Sequence, residues 1–334
     1  MTFFPWRPLS AICLALAMAM PSLAQAADKV TFRLEWRLSG YHLPFYWAQE
    51  KGYYAAEGLD VDIKEGVGSG KTISLIGGQQ EDIGLGDYML MAAAAAKGMK
   101  VKGVYAVVPN GAWAVVSYAD NPIKKPEDMI GRSVAMTADH KAIFDLLLAA
   151  NKIPADKVKV QVTSAATRNT VFVNGNVDAF LSVTVGSPLD LVVRAQQGKG
   201  KPIHFMPLED FGVAPMGQGL VVHEQFIADK ADVLRRFVRA SAKGFAETVK
   251  PENLEEAVNI SMKLSKASDE RRESVRLQWV ETLPRLHTRH SQGKPIGWVT
   301  DEDARDTLDV LVKTGTIEKA PPIASLFTND FIPK

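Results

Sequence analysis

VTFRLEWRLSGYHLPFYWAQEKGYYAAEGLDVDI, residues 30–63, reads as strand, turn, helix and strand in direct succession. VTFRLEW alternates apolar and polar side chains with the period of two that a half-buried strand requires. Pro44 sits where the first turn of a helix tolerates a residue without an N–H, and Gly52 sits where a helix stops. LDVDIKEG (59–66) then alternates again. The stretch is also dense in rings: seven of the nineteen residues from Trp36 to Tyr54 are Trp, Tyr or Phe, in a chain that is 8% aromatic. These rings either fill a core or line a site, and their spacing separates the two. Phe45, Tyr46, Trp47, Tyr53 and Tyr54 fall at helical spacing, which predicts a face packed on a sheet. Trp36, Tyr41 and His42 fall before the helix, at the carboxyl edge of the strand, where open α/β sheets bind ligands.

The same rhythm runs outward. SGKTISLIGG is a predicted helix, DIGLGD (82–87) a strand, YMLMAAAAAKGM (88–99) an Ala-rich helix and VKGVYAVV (101–108) a strand. Alternation of this kind implies a mostly parallel sheet flanked by helices. A second series follows the Pro-rich turn NPIKKPEDMIG (121–131): RSVAMT, the helix HKAIFDLLLAANK, the strand KVKVQVTS, the helix RNTVFVNGN and the strand VDAFLSV. GGQQEDIGLGD and VNGNVDAFLSV resemble each other, which suggests two lobes built alike. After the strand GLVVHE the chain is mostly helical.

At the N-terminus, Arg7, the apolar run AICLALAMAM (11–20) and Ala24-Gln25-Ala26 compose a cleavable signal peptide over residues 1–26. The run is too short to span a bilayer, and no later segment approaches the roughly 20 apolar residues that a spanning helix needs. A soluble, exported, periplasmic mature chain is the expectation. Cys13 is the only cysteine, so the mature chain would carry neither thiol nor disulfide and must be stabilised by burial. With Arg7 removed, the 39 basic and 38 acidic residues balance, which gives no support to nucleic-acid or polybasic membrane contact.

EGVGSGKT (65–72) lies between a strand and a helix, where a phosphate loop would lie. It matches that motif at Gly70, Lys71 and Thr72 but has Glu65 at the first position, where a carboxylate would crowd a phosphate. Glycines at a helix start still present backbone N–H groups to a cleft, so Gly68, Ser69 and Gly70 are candidate ligand contacts; a tight turn without ligand is the alternative. His287 and His290 form HxxH without an intervening Glu, which reads as surface histidines and not a zinc site. No catalytic motif stands out, and no cofactor is implied.

The segment from Trp36 to Ile63 strongly resembles the N-terminal part of ABC-importer periplasmic binding proteins of the thiamine-pyrimidine-precursor, nitrate, sulfonate and taurine group. The likeness continues through Gly68-Ser69-Gly70, IGLGD (83–87), KPEDMIGRSVA (125–135), NVDAF (176–180) and GWVTDEDARDTLDVL (297–311). It implies a two-lobed α/β periplasmic binding fold whose chain crosses between lobes twice, near Ser117 and Gly217. Lobe 1 would hold residues 27–117 and 218–334, and lobe 2 residues 118–217, closing over ligand by a hinge. It implies a monomeric, non-enzymatic binder of a small molecule, whose partners are an ABC permease and its ATPase and whose contact with the membrane runs only through that permease.

Glu35-Trp36 and Tyr41-His42 are most similar to the pyrimidine-precursor branch, which includes fungal enzymes that build the thiamine pyrimidine from their own His and pyridoxal phosphate. The positions matching that Lys and His are Gly86 and Leu90 here, so the synthase chemistry is not carried over. Pyrimidine-binding relatives use a second-lobe Glu where this chain has Thr184; Glu35 would replace it from lobe 1, or the ligand is a different aromatic. Asp139 sits where it would cap the following helix and compete with an anionic ligand for its N–H groups. The expectation is therefore a neutral or cationic heteroaromatic, with alkylsulfonate, taurine or nitrate as the alternative ligands, and an exported enzyme related to the pyrimidine-precursor synthases as the alternative of another class. Candidate ligand residues are Glu35, Trp36, Tyr41, His42, Gly68, Ser69, Gly70, Asp87, Tyr88, Asn110, Trp113, Asp139 and Thr184. Asp87 reads equally as a plain helix cap, and Asn110 and Trp113 as hinge.

Overall fold

Alternating burial along Asp28–Arg33 makes that segment a strand, β1, whose Phe32 is fully buried. The structure, a computed structural model, describes residues 1–2 and 26–333. Most of the expected signal peptide, with Cys13, lies outside the described residues. The other strands are β2 (Leu59–Lys64), β3 (Ile83–Asp87), β4 (Val101–Ala106), β5 (Trp113–Tyr118), β6 (Ser133–Met136), β7 (Lys159–Val162), β8 (Ala179–Val183), β9 (Ile203–Pro207) and β10 (Gln218–His223).

They form two five-stranded sheets, ordered β2-β1-β3-β10-β4 and β7-β6-β8-β5-β9. The two orders are the same pattern. β1 pairs parallel with β2 and β3, as β6 does with β7 and β8. β10 is antiparallel to β3 and β4, as β5 is to β8 and β9. Each antiparallel strand is the one that enters its sheet directly from the other lobe, so both lobes are mostly parallel with one reversed strand contributed by a crossing.

β5 lies wholly in the second sheet, so the first crossing precedes Trp113; Ser117, where it was expected, sits buried mid-strand. The strand WAVVSY and the strand β9 escape a sequence reading because neither belongs to a strand–helix unit. The second crossing leads through Gly217 into β10. The crossing segments meet in a short bridge between Asn110 and Met216, and Gly111 N–H donates to the Pro215 carbonyl at 3.2 Å. A side chain at Gly217 would stand 2.7 Å from the Val108 carbonyl oxygen, so glycine is what lets the two crossings run side by side.

The helix Leu43–Glu50 buries Phe45, Tyr46 and Trp47 as its spacing predicts. Phe45 packs edge-on against Phe32 at 4.9 Å, and Tyr54 stacks on Phe237 at 5.1 Å. Each such ring contributes roughly 1.5–3 kcal/mol by burial. The helices Glu224–Thr248 and Leu254–Ser265 cover this face of the first lobe. The later helices touch both lobes: Arg272–Thr282 packs on the turn Gly40–His42 and on the second-lobe helix Pro188–Gln196, and Asp301–Lys313 packs on Tyr88–Ala96 and on Lys141–Ala150. The C-terminal region thus braces the hinge.

Gly40 is pressed against the first of these helices; a Cβ there would stand 2.1 Å from the Trp279 backbone nitrogen. Gly40→Ala should destabilise the protein by about 2 kcal/mol or more, read as a lower denaturant midpoint. An unchanged midpoint would mean that the helix moves aside freely.

Candidate functional site

The carboxyl end of β1 is held by the glycine turn. Gly66 N–H donates to the Trp36 carbonyl at 3.2 Å and Gly68 N–H to the Glu35 carbonyl at 2.7 Å. The Thr72 hydroxyl donates to the Leu34 carbonyl at 3.0 Å, and Glu65 Oε1 accepts the Leu38 N–H at 2.7 Å. The Gly66 and Gly68 amides that a phosphate loop would offer to a nucleotide are therefore spent on the strand itself. Glu65 does not face a phosphate; it fixes the bend after Trp36.

That bend aims Glu35 and Trp36 into a chamber between the lobes, with a volume of about 100 Å³, also lined by Ser39, Tyr41, Gly68, Ser69 and Gln218 on the first-lobe side. Through Trp36, Ser39, Ala165 and Ser187 it continues into an outer groove of about 410 Å³. Glu35 is 4% exposed. Its Oε1 accepts the Tyr41 hydroxyl at 2.6 Å, and His42 Nε2 lies 3.2 and 3.0 Å from its two oxygens. His42 Nδ1 accepts the Ser39 N–H at 3.0 Å, which leaves Nε2 as the protonated nitrogen that donates to Glu35. Two donors hold the carboxylate in one orientation, with acceptor capacity left over for the chamber. Burial and the neighbouring Glu35 charge push the Tyr41 phenol well above its ordinary range, so it acts as a donor here. His42 is fully buried behind Glu35 and serves it from outside the chamber, instead of facing the cleft as expected.

The second-lobe wall holds Trp113, His140, Ala165, Arg168, Ser182, Val183, Gly186 and Ser187. Trp113, read as hinge or site, opens β5 and packs against the His140 ring at 4.4 Å. Arg168, which sequence reading missed, is 7% exposed. Its Nη2 donates to Ser182 Oγ at 2.9 Å and lies 3.5 Å from Ser187 Oγ, while its Nε finds no partner. Burial pulls its pKa down to about 10. The one local signal was its position: a cation opening the helix Arg168–Val173 is set against the helix dipole. Trp113 Nε1 and Gln218 Oε1 are likewise buried without a partner.

The other expected residues fall elsewhere. Asp87 is fully buried and caps the helix Tyr88–Ala96 through the Leu90 N–H at 3.0 Å, with Oδ2 unpaired. Tyr88 lies in the core, donating to the Leu220 carbonyl and accepting the Tyr105 N–H, both at 3.1 Å. Asn110 belongs to the hinge, where its Nδ2 donates to Glu209 at 3.0 Å. Thr184 N–H donates to the Ala112 carbonyl at 2.8 Å, beside the first crossing, and its hydroxyl is unpaired. Asp139 is exposed and caps no helix. Its Oδ2 lies 3.0 Å from where a Cβ on Gly70 would sit, so it faces the glycine turn across the cleft, and the competition argued against anionic ligands does not arise. His287 and His290 are engaged locally, with the Ser291 carbonyl and with Arg289.

The model of the family described as NMT1/THI5 like matches residues 39–253. A 4-amino-5-hydroxymethyl-2-methylpyrimidine phosphate synthase from Schizosaccharomyces pombe is 25% identical over 224 residues, 64% of this chain and 64% of the enzyme's length. The riboflavin-binding protein RibY from Chloroflexus aurantiacus is 23% identical, over 95% of this chain and 90% of its own. A formylaminopyrimidine-binding protein from Halalkalibacterium halodurans is 26% identical, over 71% and 70%. Among solved structures, a ligand-binding component of an ABC-type import system from Staphylococcus aureus superposes with a TM-score of 0.67 at 9% identity, covering 91% of this chain and 97% of that one.

Two groups near the chamber, the buried Asp87 and the half-buried His140, titrate in opposite senses. Burial raises Asp87 from 3.8 to about 7; the folded chain keeps a proton that the unfolded chain has released, so this group withdraws stability as the pH climbs from about 4 to 7. His140 is lowered from 6.5 to about 3, by burial and then by Arg168; the unfolded chain takes up a proton that the folded one refuses, so stability rises from about pH 3 to 6.5. Between about pH 4 and 6.5, Asp87→Asn should tilt the stability profile upward relative to the parent and His140→Gln should tilt it downward, each by up to about 1.4 kcal/mol per pH unit. Denaturant midpoints across pH measure both slopes, and three equal slopes would contradict the assignment.

Proposed function

Because the chain belongs to the NMT1/THI5-like family, we propose that it is an exported solute-binding protein of an ABC importer that captures a small heteroaromatic compound, similar to a thiamine pyrimidine precursor, between its lobes. The observation that carries the reading is the chamber itself: one indole from each lobe, Trp36 and Trp113, beside a buried carboxylate held by Tyr41 and His42. Indoles offer flat apolar faces to a ring, and Glu35 accepts from a ring amine or N–H. Three similar proteins carry names that concern nitrogen heteroaromatics: a flavin, a formylaminopyrimidine and a pyrimidine phosphate. The apolar N-terminal run supports export to the periplasm. Among the described residues no helix is long and apolar enough to cross a membrane, so transport would depend on a permease and its ATPase.

Binding without turnover is supported by Gly86, the position that aligns with the synthases' Lys. A Cβ there would lie 3.0 Å from Ile73 Cγ1, so even the first carbon of a side chain would press on the neighbouring helix. Thiamine-pyrimidine synthesis by this chain would require that residue.

Capture couples to closure through Gln278, which is 1% exposed. Its Oε1 accepts the first-lobe Gly40 N–H at 3.0 Å and its Nε2 donates to the second-lobe Gly186 carbonyl at 3.2 Å. Ligand filling the chamber between these two points favours the closed arrangement, and the permease reads that arrangement, so the ligand acts by shifting a population.

A thermal-shift panel on the mature protein tests the ligand class with 4-amino-5-hydroxymethyl-2-methylpyrimidine, riboflavin, an alkylsulfonate and nitrate. A ligand at 100 times its Kd should add about 2.7 kcal/mol of stability, and Trp36→Ala should weaken a ring ligand about tenfold, near the upper end of what one aromatic pair contributes. Stabilisation by sulfonate or nitrate alone would overturn the heteroaromatic reading. Gln278→Ala leaves two buried backbone groups unpaired, at roughly 1–3 kcal/mol each. It should raise the radius of gyration of the ligand-free protein in small-angle scattering and weaken binding; an unchanged radius and affinity would remove Gln278 from the closing mechanism.

A further inference from the structure

Arg168 is a buried cation without a counter-charge. Among the described residues its hydrogen bonds run only to the neutral hydroxyls of Ser182 and Ser187, and its Nε has no acceptor. The Phe180 ring, 5.6 Å from its guanidinium carbon, is its only other compensation. A guanidinium taken out of water on these terms is costly, and it lines the chamber instead of a protein–protein seam. Trp113 on the same wall offers the face of its ring, since its Nε1 edge is turned to Gly111, 3.0 Å from where a Cβ there would sit. Among the described residues Glu35 on the opposite wall makes no ion pair with Arg168; the groups within hydrogen-bond reach of its side chain are Tyr41 and His42.

The chamber is therefore bipolar, with an acceptor wall in lobe 1 and a cationic donor wall in lobe 2. A neutral ring would satisfy the first wall and leave the second unpaired. Resting on the heteroaromatic reading above, we infer that the ligand carries an anionic oxygen group, a carboxylate, sulfonate or phosphate, which Arg168 recognises while Glu35 holds the N–H edge of the ring. The chamber of about 100 Å³ opens into the outer groove of about 410 Å³, into which the remainder of the ligand would extend. An anion here also bridges the lobes, because its ring end rests on lobe 1 and its charged end on lobe 2.

The test compares 4-amino-5-hydroxymethyl-2-methylpyrimidine with its phosphate monoester, and taurine as a non-aromatic anion, by calorimetry on the mature protein and on Arg168→Gln and Arg168→Lys. The phosphate ester should bind at least about tenfold tighter than the alcohol, the increment of one charge-assisted pair. Arg168→Gln should abolish that difference while leaving the alcohol's affinity within about twofold, and Arg168→Lys should retain part of it. Arg168→Gln should also raise the melting temperature of the ligand-free protein by removing an uncompensated charge, whereas a merely structural arginine would lower it. Equal binding of ester and alcohol, with both unaffected by Arg168→Gln, would overturn the anion site and leave the heteroaromatic reading standing. Binding of taurine alone, lost in Arg168→Gln, would overturn the heteroaromatic reading and uphold Arg168. Failure of every anion to bind the parent protein, or a lower melting temperature in Arg168→Gln, would overturn the inference.

Discussion

Two amide hydrogen bonds, from Gly66 to the Trp36 carbonyl and from Gly68 to the Glu35 carbonyl, turn the end of the first strand out of its sheet and into the space between the lobes. Everything that makes the site chemical follows from that bend. It delivers a carboxylate to a place where it is 4% exposed and puts Tyr41 and His42 within reach to orient it. A buried carboxylate is stable only if such donors surround it, so the loop Trp36–His42 and the glycine turn have to be folded together. Gly66 is required by the closeness of the approach, since a Cβ there would stand 2.1 Å from the Leu34 carbonyl oxygen.

The two lobes solve one problem twice. Each sheet has three consecutive parallel strands followed by a reversed strand that arrives from the other lobe. Because the reversed strands β5 and β10 leave the two crossings directly, a change in crossing angle is transmitted to the sheets without an intervening flexible loop. Gln278 and the helix Asp301–Lys313 bear on both lobes from the C-terminal region, so the hinge is short and braced. Closure is then a motion between few alternatives, the kind a small ligand can bias.

The names of similar proteins span binders and synthases, and the proposal of binding rests on this chain's own side chains. Gly86, packed close to Ile73, carries no side chain for such chemistry, while Glu35 and Arg168 place opposite charges on the two walls of the chamber. The expectation of a neutral or cationic ligand rested on Asp139 capping a helix. In the folded chain Asp139 faces Gly70 instead, and Arg168 changes the charge balance of the chamber.

Local pattern was enough to read the α/β rhythm, the packing role of Phe45, Tyr46, Trp47 and Tyr54, and the loop carrying Glu35, Trp36 and Tyr41, because each of these depends on periodicity or on residues within a few positions of one another. It also rejected a phosphate loop at Glu65, but on the ground that the carboxylate would crowd a phosphate, whereas in the fold Glu65 turns to the Leu38 N–H and the Gly66 and Gly68 amides are spent on the strand. Tyr88 was read as a site residue because it ends a strand at the binding edge, yet packing against Gly103, Gly219 and Phe327 carries it into the core. β5 and β9 went unread as strands since neither belongs to a strand–helix unit. Arg168, Gln218 and Gln278 act through contacts between distant segments, 92 positions apart for Gln278 and Gly186. The sequence by itself determined the fold class and the first-lobe wall, through short-range pattern; only the tertiary structure decided the second wall and its charge, because a lone arginine has no meaning until burial has removed its water and its neighbours have failed to replace it.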